Sequence, residues 1–185
     1  MVDPQDIIFE TPRLDIRISE VEDAEFIFRL WTNPQVMTYV GFPFGLRVTL
    51  EEIQQRLRLG KRTPFESPLI VVLKNTGETI GQCKLGIPNE DGIAETDIKL
   101  SPEYWGKKYG VEIKRGLVNY LFTHTDCQIV AASPNLNNIA SVKMQEAVGG
   151  VRVDEGVHTF PEEMRDYTIP VPYAIYHVSR EDWQR

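Results

Sequence analysis

Leu100-Ser-Pro-Glu-Tyr-Trp-Gly-Lys-Lys-Tyr-Gly-Val-Glu112 is the stretch whose reading decides the fold. A strand-like run ends at Pro102, a loop bracketed by Gly106 and Gly110 follows, and a helix opens at once. The two glycines allow a tight turn and leave room for a ligand against the main chain. The first amides of a helix have no partners inside it, and the helix dipole favours negative charge there. Such a turn is an anion cradle, suited to a phosphate or pyrophosphate. Lys107 and Lys108 add two positive charges at the same place. Taken alone, the segment reads equally well as an ordinary strand-to-helix turn with solvated lysines.

A second segment breaks the tie. Gln128-Ile-Val-Ala-Ala132 is a strand that runs into Ser133-Pro-Asn-Leu-Asn-Asn-Ile-Ala-Ser141 and then another helix. Strand, helix, strand, helix at this spacing reads as a βαβα unit with parallel neighbouring strands and a right-handed crossover. Both helix N-termini then lie at one end of the sheet, where open α/β sheets bind ligands.

Tyr104-Trp105-Gly106-Lys107-Lys108-Tyr109-Gly110 followed by Asn138-Ile-Ala-Ser141 resembles the acetyl-CoA signature of GNAT N-acetyltransferases. The chain looks closest to the branch that acetylates N-terminal amines of ribosomal proteins. Glu10-Thr-Pro-Arg13-Leu14, Asp23-Ala24, Asn33-Pro34-x-Val-Met37 and the closing stretch from Tyr176 to Trp183 carry the likeness over nearly the whole chain. The resemblance implies a single domain over residues 1–185 of α/β class. It should hold a mixed, mostly antiparallel twisted sheet of about seven strands, helices on both faces, and splayed parallel central strands. It also implies acetyl-CoA as cosubstrate. The expected contacts are Ile98, Lys99 and Leu100 at the strand end, then Trp105, Gly106, Lys107, Lys108, Tyr109, Gly110 and Val111 in the loop, and Asn138.

The rest of the chain is ordinary for a soluble globular protein. At 185 residues it can bury roughly 70% of its unfolded surface in one core. Apolar residues make up 42% and charged residues 25%. No apolar run approaches membrane length, and Met1-Val-Asp-Pro-Gln-Asp has none of the features of a signal peptide. The expected compartment is the cytoplasm. Cys83 and Cys127 both fall in strand-like runs and read as buried free thiols. His124, His158 and His177 are isolated, without ligand spacing, so no metal is expected. A net charge of −7 argues against nucleic acid as partner. It suits a cationic acceptor such as an amine or a basic peptide, and equally serves solubility alone. A homodimer stays open.

Arg13 to Ile18 alternates polar and apolar residues and predicts a half-buried first strand. Ser19-x-x-Glu22 reads as a capping box for a helix carrying Ala24, Ile27, Phe28 and Trp31, which ends before Pro34. Thr49-x-x-Glu52 caps a second helix with Ile53 and Leu57 inward. Leu69 to Leu73 and Thr79 to Leu85 are strands joined by a turn at Lys74-Asn-Thr-Gly-Glu78. The Pro88 to Gly92 turn leads into a strand from Ile93 to Leu100. A helix from Gly110 to about Thr123 has Val111, Leu117, Leu121 and the stem of Lys114 along one stripe. Two further strands from Val151 to Trp183 flank a loop at 158–172.

Acetyl transfer from a thioester to an amine makes few demands. The amine must lose a proton, the carbonyl must be polarised, and the thiolate leaves easily because its conjugate pKa is only about 8.5. Positioning and a preorganised oxyanion donor are the protein's main tasks. Alternation along Ala94-Glu-Thr-Asp-Ile-Lys-Leu100 puts Glu95, Asp97 and Lys99 on one strand face. Glu95 is the candidate base, as the resemblance also implies; a solvated face with cross-strand ion pairing is the alternative. Asn138 and Ser141 serve as N-cap and N3 of the last helix. The resemblance adds a pantetheine contact for Asn138 and a proton donor to the leaving thiolate in Ser141. Relatives that use a tyrosine farther along that helix have Gln145 as its counterpart here.

Two departures stand out. Lys108 occupies a position usually held by glycine, and Gly149-Gly150 replaces the usual Gly-Phe after the last helix. The acceptor amine should meet residues 37–47 and 158–172. Tyr39, Phe42 and Phe44 could be an aromatic substrate-facing group, or plain loop packing. Glu162, Glu163 and Asp166 read as a solvated acidic loop or as an attraction for a cation. The expected activity is acetyl transfer to a primary amine such as a protein N-terminus. The alternatives are a small-molecule amine (a polyamine or an antibiotic) and a catalytically weak acetyl-CoA-binding module.

Overall fold

In the computed structural model, which describes residues 7–184, one eight-stranded sheet runs through the protein. The strands are β1 (Ile7–Glu10), β2 (Leu14–Ile18), β3 (Leu69–Leu73), β4 (Thr79–Leu85), β5 (Ile93–Leu100), β6 (Ile129–Ala132), β7 (Val151–His158) and β8 (Val171–Ser179). Across the sheet they run β1-β2-β3-β4-β5-β6-β8-β7. Every pairing is antiparallel except β5 with β6. The helices are α1 (Ala24–Thr32), α2 (Pro34–Met37), α3 (Leu50–Leu59), α4 (Tyr109–His124), α5 (Ile139–Ala147) and α6 (Arg180–Trp183).

Helices cover both faces because the central strands are apolar on both sides. All five residues of β3 are buried. Leu69, Val71 and Leu73 face α4, joining Ile113, Leu117, Val118 and Leu121 in the larger core. Ile70 and Val72 face the other way, onto Ala24 and Ile27 of α1 and Ile53 of α3. Each such fully buried aliphatic side chain contributes roughly 1.5–3 kcal/mol over an exposed one.

The structure holds eight strands where about seven were expected. The added one, β1, is four residues long and lacks the alternation that marks a half-buried strand. Its Phe9 lies over Gly116 of α4, where a Cβ would come within 2.2 Å of the ring, so that glycine is a packing requirement. The first capping box is also shifted by one residue. Asp23 accepts from the Glu20 amide at 2.7 Å, and Ser19 is buried with its hydroxyl unpartnered among the described residues. Arg17 decides this, because it grips both Asp23 oxygens at 2.7 Å. Cys127 lies just before β6 rather than within it; both cysteines are free and buried. No helix among the described residues is long and apolar enough to cross a membrane.

Candidate active site

The parallel pair decides where the site lies. β5 and β6 are matched only at Ile93 with Ile129, Ala94 with Val130 and Glu95 with Ala131. Beyond Glu95 the strands part. β5 keeps β4 on its other edge as far as Leu100, while the chain after β6 turns off at Ser133 and Pro134. The gap opens into a cavity of about 1430 Å³. One end lies at the loop before α4, the middle at Glu95 to Leu100 and the start of α5, and the far end at Tyr39, Phe42, Phe160 and Tyr173.

The loop before α4 has the conformation of an anion cradle. Gly106 takes φ +75° with open space where a Cβ would be. Lys108 takes φ 64°, the one non-glycine residue in that region among those described, so the sequence departure there is a strained backbone. Glu112 is the first residue of α4 whose amide finds a backbone acceptor, the Lys108 carbonyl at 3.3 Å. The Tyr109, Gly110 and Val111 amides before it find no backbone acceptor, as the start of a helix requires, and all three residues line the cavity. Trp105 Nε1 donates to the Leu100 carbonyl at 2.8 Å and fastens the loop to β5. On the outer side Arg13 donates to Glu112 and to the Lys107 carbonyl.

Most of the residues named from sequence meet at this cavity. Ile98, Lys99, Leu100, Trp105, Gly106, Lys108, Tyr109, Gly110, Val111 and Asn138 line it, as do Glu95 and Ser141. Lys107 does not: its ammonium sits over the Tyr104 ring, 4.9 Å from the centroid. Tyr39 and Phe42 line the far end, Phe42 packed edge-on against Phe160. Phe44 is 76% exposed and lies outside the lining.

Glu95 and Asp97 are exposed on the gap side of β5, and Lys99 forms an ion pair with Asp97 along the strand. That leaves the Glu95 carboxylate facing the cavity without an ion-pair partner among the described residues. Asn138 caps α5, its Oδ1 accepting from the Ser141 amide at 3.1 Å, and Ser141, half-buried in the first turn, lines the cavity. Arg115 donates to the Ala147 carbonyl at 3.1 Å and ties the two helices together.

Two features escaped the sequence reading. Lys114 was expected to lay only its stem along the apolar stripe, yet the whole side chain is buried and its ammonium donates to Thr96 Oγ1 at 2.6 Å. Burial pushes its pKa down from 10.5 to about 8, against the opposing pull of Asp97. The signal available was Thr96, a hydroxyl on the inward face of β5 opposite that stripe. Asn135 was also missed. It is buried, donates to the Tyr39 carbonyl at 3.1 Å, and bridges to Tyr173, so it joins the two sides of the far end.

Residues 13–151 match the acetyltransferase (GNAT) domain family. An uncharacterized N-acetyltransferase p20 of Bacillus licheniformis is 30% identical over 140 residues, covering 72% of this chain and 76% of the relative. Among solved structures, the spermidine N-acetyltransferase of Vibrio cholerae in complex with CoA and spermine superposes with TM-score 0.76 at 20% identity, over 93% of this chain and 98% of the other. The aminoglycoside acetyltransferase AAC(6')-Ib in complex with coenzyme A superposes with TM-score 0.69 at 19% identity, again over 93% and 98%. The two structural likenesses speak for the fold; with the family match spanning most of the sequence, the chain belongs to the GNAT acetyltransferases.

Proposed function

We propose that this protein transfers acetyl from acetyl-CoA to a primary amine, with Glu95 as base and Ser141 as proton donor. One observation carries the reading: a single cavity joins the free amides before α4 to Glu95 and Ser141 through the gap between β5 and β6. The residues fit acetyl-CoA. A Cβ at Gly106 would point into open space, and the unpartnered amides face the same end, as a pyrophosphate needs. When bound there, acetyl-CoA supplies an activated thioester.

The chain's own residues do the rest. The amides at the loop anchor the pyrophosphate, and Asn138 lies where it can meet the pantetheine arm. The unpaired gap edge of β5 offers backbone groups to that arm, as a partner strand would take them. Glu95 accepts the proton that the amine must lose before it attacks. Ser141 gives a proton to the departing sulfur. Asn135 holds the Tyr39 segment against the acceptor end.

Two acceptor classes suit the far end. The sequence likeness to the ribosomal-protein branch points to a protein N-terminus. The polyamine and aminoglycoside complexes of the structural neighbours favour a small cationic amine. A panel of N-terminal peptides, polyamines and aminoglycosides, scored by release of free CoA, tests this. Turnover with one class assigns the acceptor. Tight acetyl-CoA binding without release on any amine would overturn the transferase reading in favour of a binding module.

A further inference from the structure

Behind the gap, a second, partly open cavity of about 80 Å³ lies between β5, the end of β6, α4 and α5. It shares Asp97, Ile98, Ser133, Pro134, Ser141 and Met144 with the large cavity, so it lies directly beside the place where the acyl group must sit. Its inner wall is unusually polar for the interior of a fold. Lys114, only 1% exposed, points its ammonium here, and among the described residues Thr96 Oγ1 is its one hydrogen-bond partner. Gln145, 4% exposed, lines the same space; among the described residues no hydrogen bond is found for its side-chain amide, which keeps some access to solvent. The Ser133 and Ser141 side chains border it as well.

Resting on the acyl-transfer reading above, we propose that this chain takes short dicarboxylic acyl thioesters of coenzyme A, succinyl-CoA fitting best, with the distal carboxylate held by Lys114 and Gln145. A buried ammonium with two protons unassigned is costly unless an anion or water meets it, and an anion meets it better because it also balances the charge. Asp97 is the carboxylate whose charge reaches Lys114, and it is already paired with Lys99. A bound carboxylate would supply the missing partner through charge-assisted hydrogen bonds. The space matches: 80 Å³ corresponds to about two or three waters, close to the volume of a carboxymethyl group. An acetyl methyl would leave the ammonium and the amide unmet.

The reaction balances as it does for acetyl. The amine nitrogen bonds to the thioester carbonyl carbon, and the carbon–sulfur bond breaks with its electron pair going to sulfur. The amine's proton passes to Glu95, and the thiolate receives one from Ser141. The distal carboxylate keeps its charge throughout and appears in the product as the free carboxylate of an N-substituted succinamate.

Binding alone tests this, with no need to know the acceptor. Acetyl-CoA, butyryl-CoA and succinyl-CoA are titrated calorimetrically into the wild type and Lys114→Met. Butyryl-CoA has the reach of succinyl-CoA without its charge. The wild type should bind succinyl-CoA at least about tenfold more tightly than butyryl-CoA. Lys114→Met should erase that preference while acetyl-CoA affinity stays within about twofold. Gln145→Leu, which leaves Lys114 in place, should reduce the preference in part. Equal affinity for butyryl-CoA and succinyl-CoA in the wild type, or a preference that survives Lys114→Met, overturns the inference and implies that water fills the cavity. Binding of acetyl-CoA without succinyl-CoA sinks this inference alone. Binding of no thioester at all sinks the acetyl-transfer reading with it.

Discussion

Arg13 and Glu112 lock the turn between β1 and β2 onto the first turn of α4. Arg13 Nε donates to Glu112 Oε2 at 2.7 Å, its second nitrogen lies 2.6 Å from the same oxygen, and its own amide reaches Oε1 at 2.9 Å. Thr11 Oγ1 adds a fourth contact at 2.6 Å. The guanidinium also donates to the Lys107 carbonyl at 3.1 Å and covers the Tyr109 ring at 4.3 Å. One arginine therefore braces the outside of the loop whose inside faces the cavity.

Arg13→Ala should cost about 1–2 kcal/mol at neutral pH. Hydrogen bonds to charged groups are worth ~1.5–3 kcal/mol, reduced here because the Arg13 side chain is 45% exposed. Burial alone would push the Glu112 carboxyl up. The hydrogen bonds from Thr11 and Arg13, together with the guanidinium charge, outweigh burial and hold it below its ordinary value. A depressed carboxyl stabilises the fold above its unfolded pKa and loses that contribution as pH falls through the folded one. The gap between wild type and variant in urea denaturation should thus narrow on acidification, and a gap independent of pH would show that the pair contributes nothing.

Lys108→Gly should stabilise the protein. Lysine in the left-handed region costs about 1–3 kcal/mol, and glycine there costs only its extra unfolded-state entropy of about 0.5–1 kcal/mol. A net gain on the order of 0.5–1 kcal/mol is expected in denaturant melts. A loss instead would mean that the lysine stem makes compensating contacts.

Glu95→Gln keeps the shape of the side chain but cannot accept a proton. Turnover should fall by roughly 10²–10⁴-fold while acetyl-CoA affinity holds, and rising pH should partly restore it by supplying free amine. Wild-type turnover across neutral pH would remove Glu95 from the base role.

Ser141→Ala should lower turnover at saturation by roughly 10²-fold or more and leave acetyl-CoA affinity nearly unchanged. If affinity falls and saturated turnover survives, the hydroxyl contacts the cosubstrate and donates no proton.

Lys114→Met should be more stable than the wild type below about pH 8, by something on the order of 3–4 kcal/mol. The folded state resists the charged lysine while the unfolded state does not. Between about 8 and 10.5 the folded lysine gives up its proton first, so wild-type stability rises with pH through that window and the advantage of the variant shrinks. Parallel stability curves for the two proteins would place the ammonium in contact with solvent.

Much of this was legible because local chemistry and tertiary context agree. β3, β4 and β5 begin and end where the strand runs and the turn residues between them put them, and Gly77 and Gly92 sit at positive φ as their turns require. The cap of α5 by Asn138 could be read for the same reason. What failed depended on partners distant in sequence. β1 exists because β2 and α4 cover it, although four residues carry no period of their own. Ser19 lost its expected cap to the grip of Arg17 on Asp23. The inward turn of Lys114 needs Thr96, eighteen residues earlier on another element. At the acceptor end, Asn135 reaches a carbonyl ninety-six residues away. No local pattern reports such a contact.

The brief match between β5 and β6 bears on how the molecule coheres. In the ladder itself three residue pairs join the five strands on one side to the three on the other, helped by the Gln128 and Ile129 amides on the Gly92 carbonyl and by the tie from Arg115 to the end of α5. Every other seam in the sheet is stitched by a longer run or by a turn within the chain. On the reading proposed above, a thioester seated in the gap would touch both sides at once and stand in for the missing rungs of the ladder, tying the fold together as well as reacting. Release of the product CoA would then loosen the seam between the two sides, and refilling the gap would close it again.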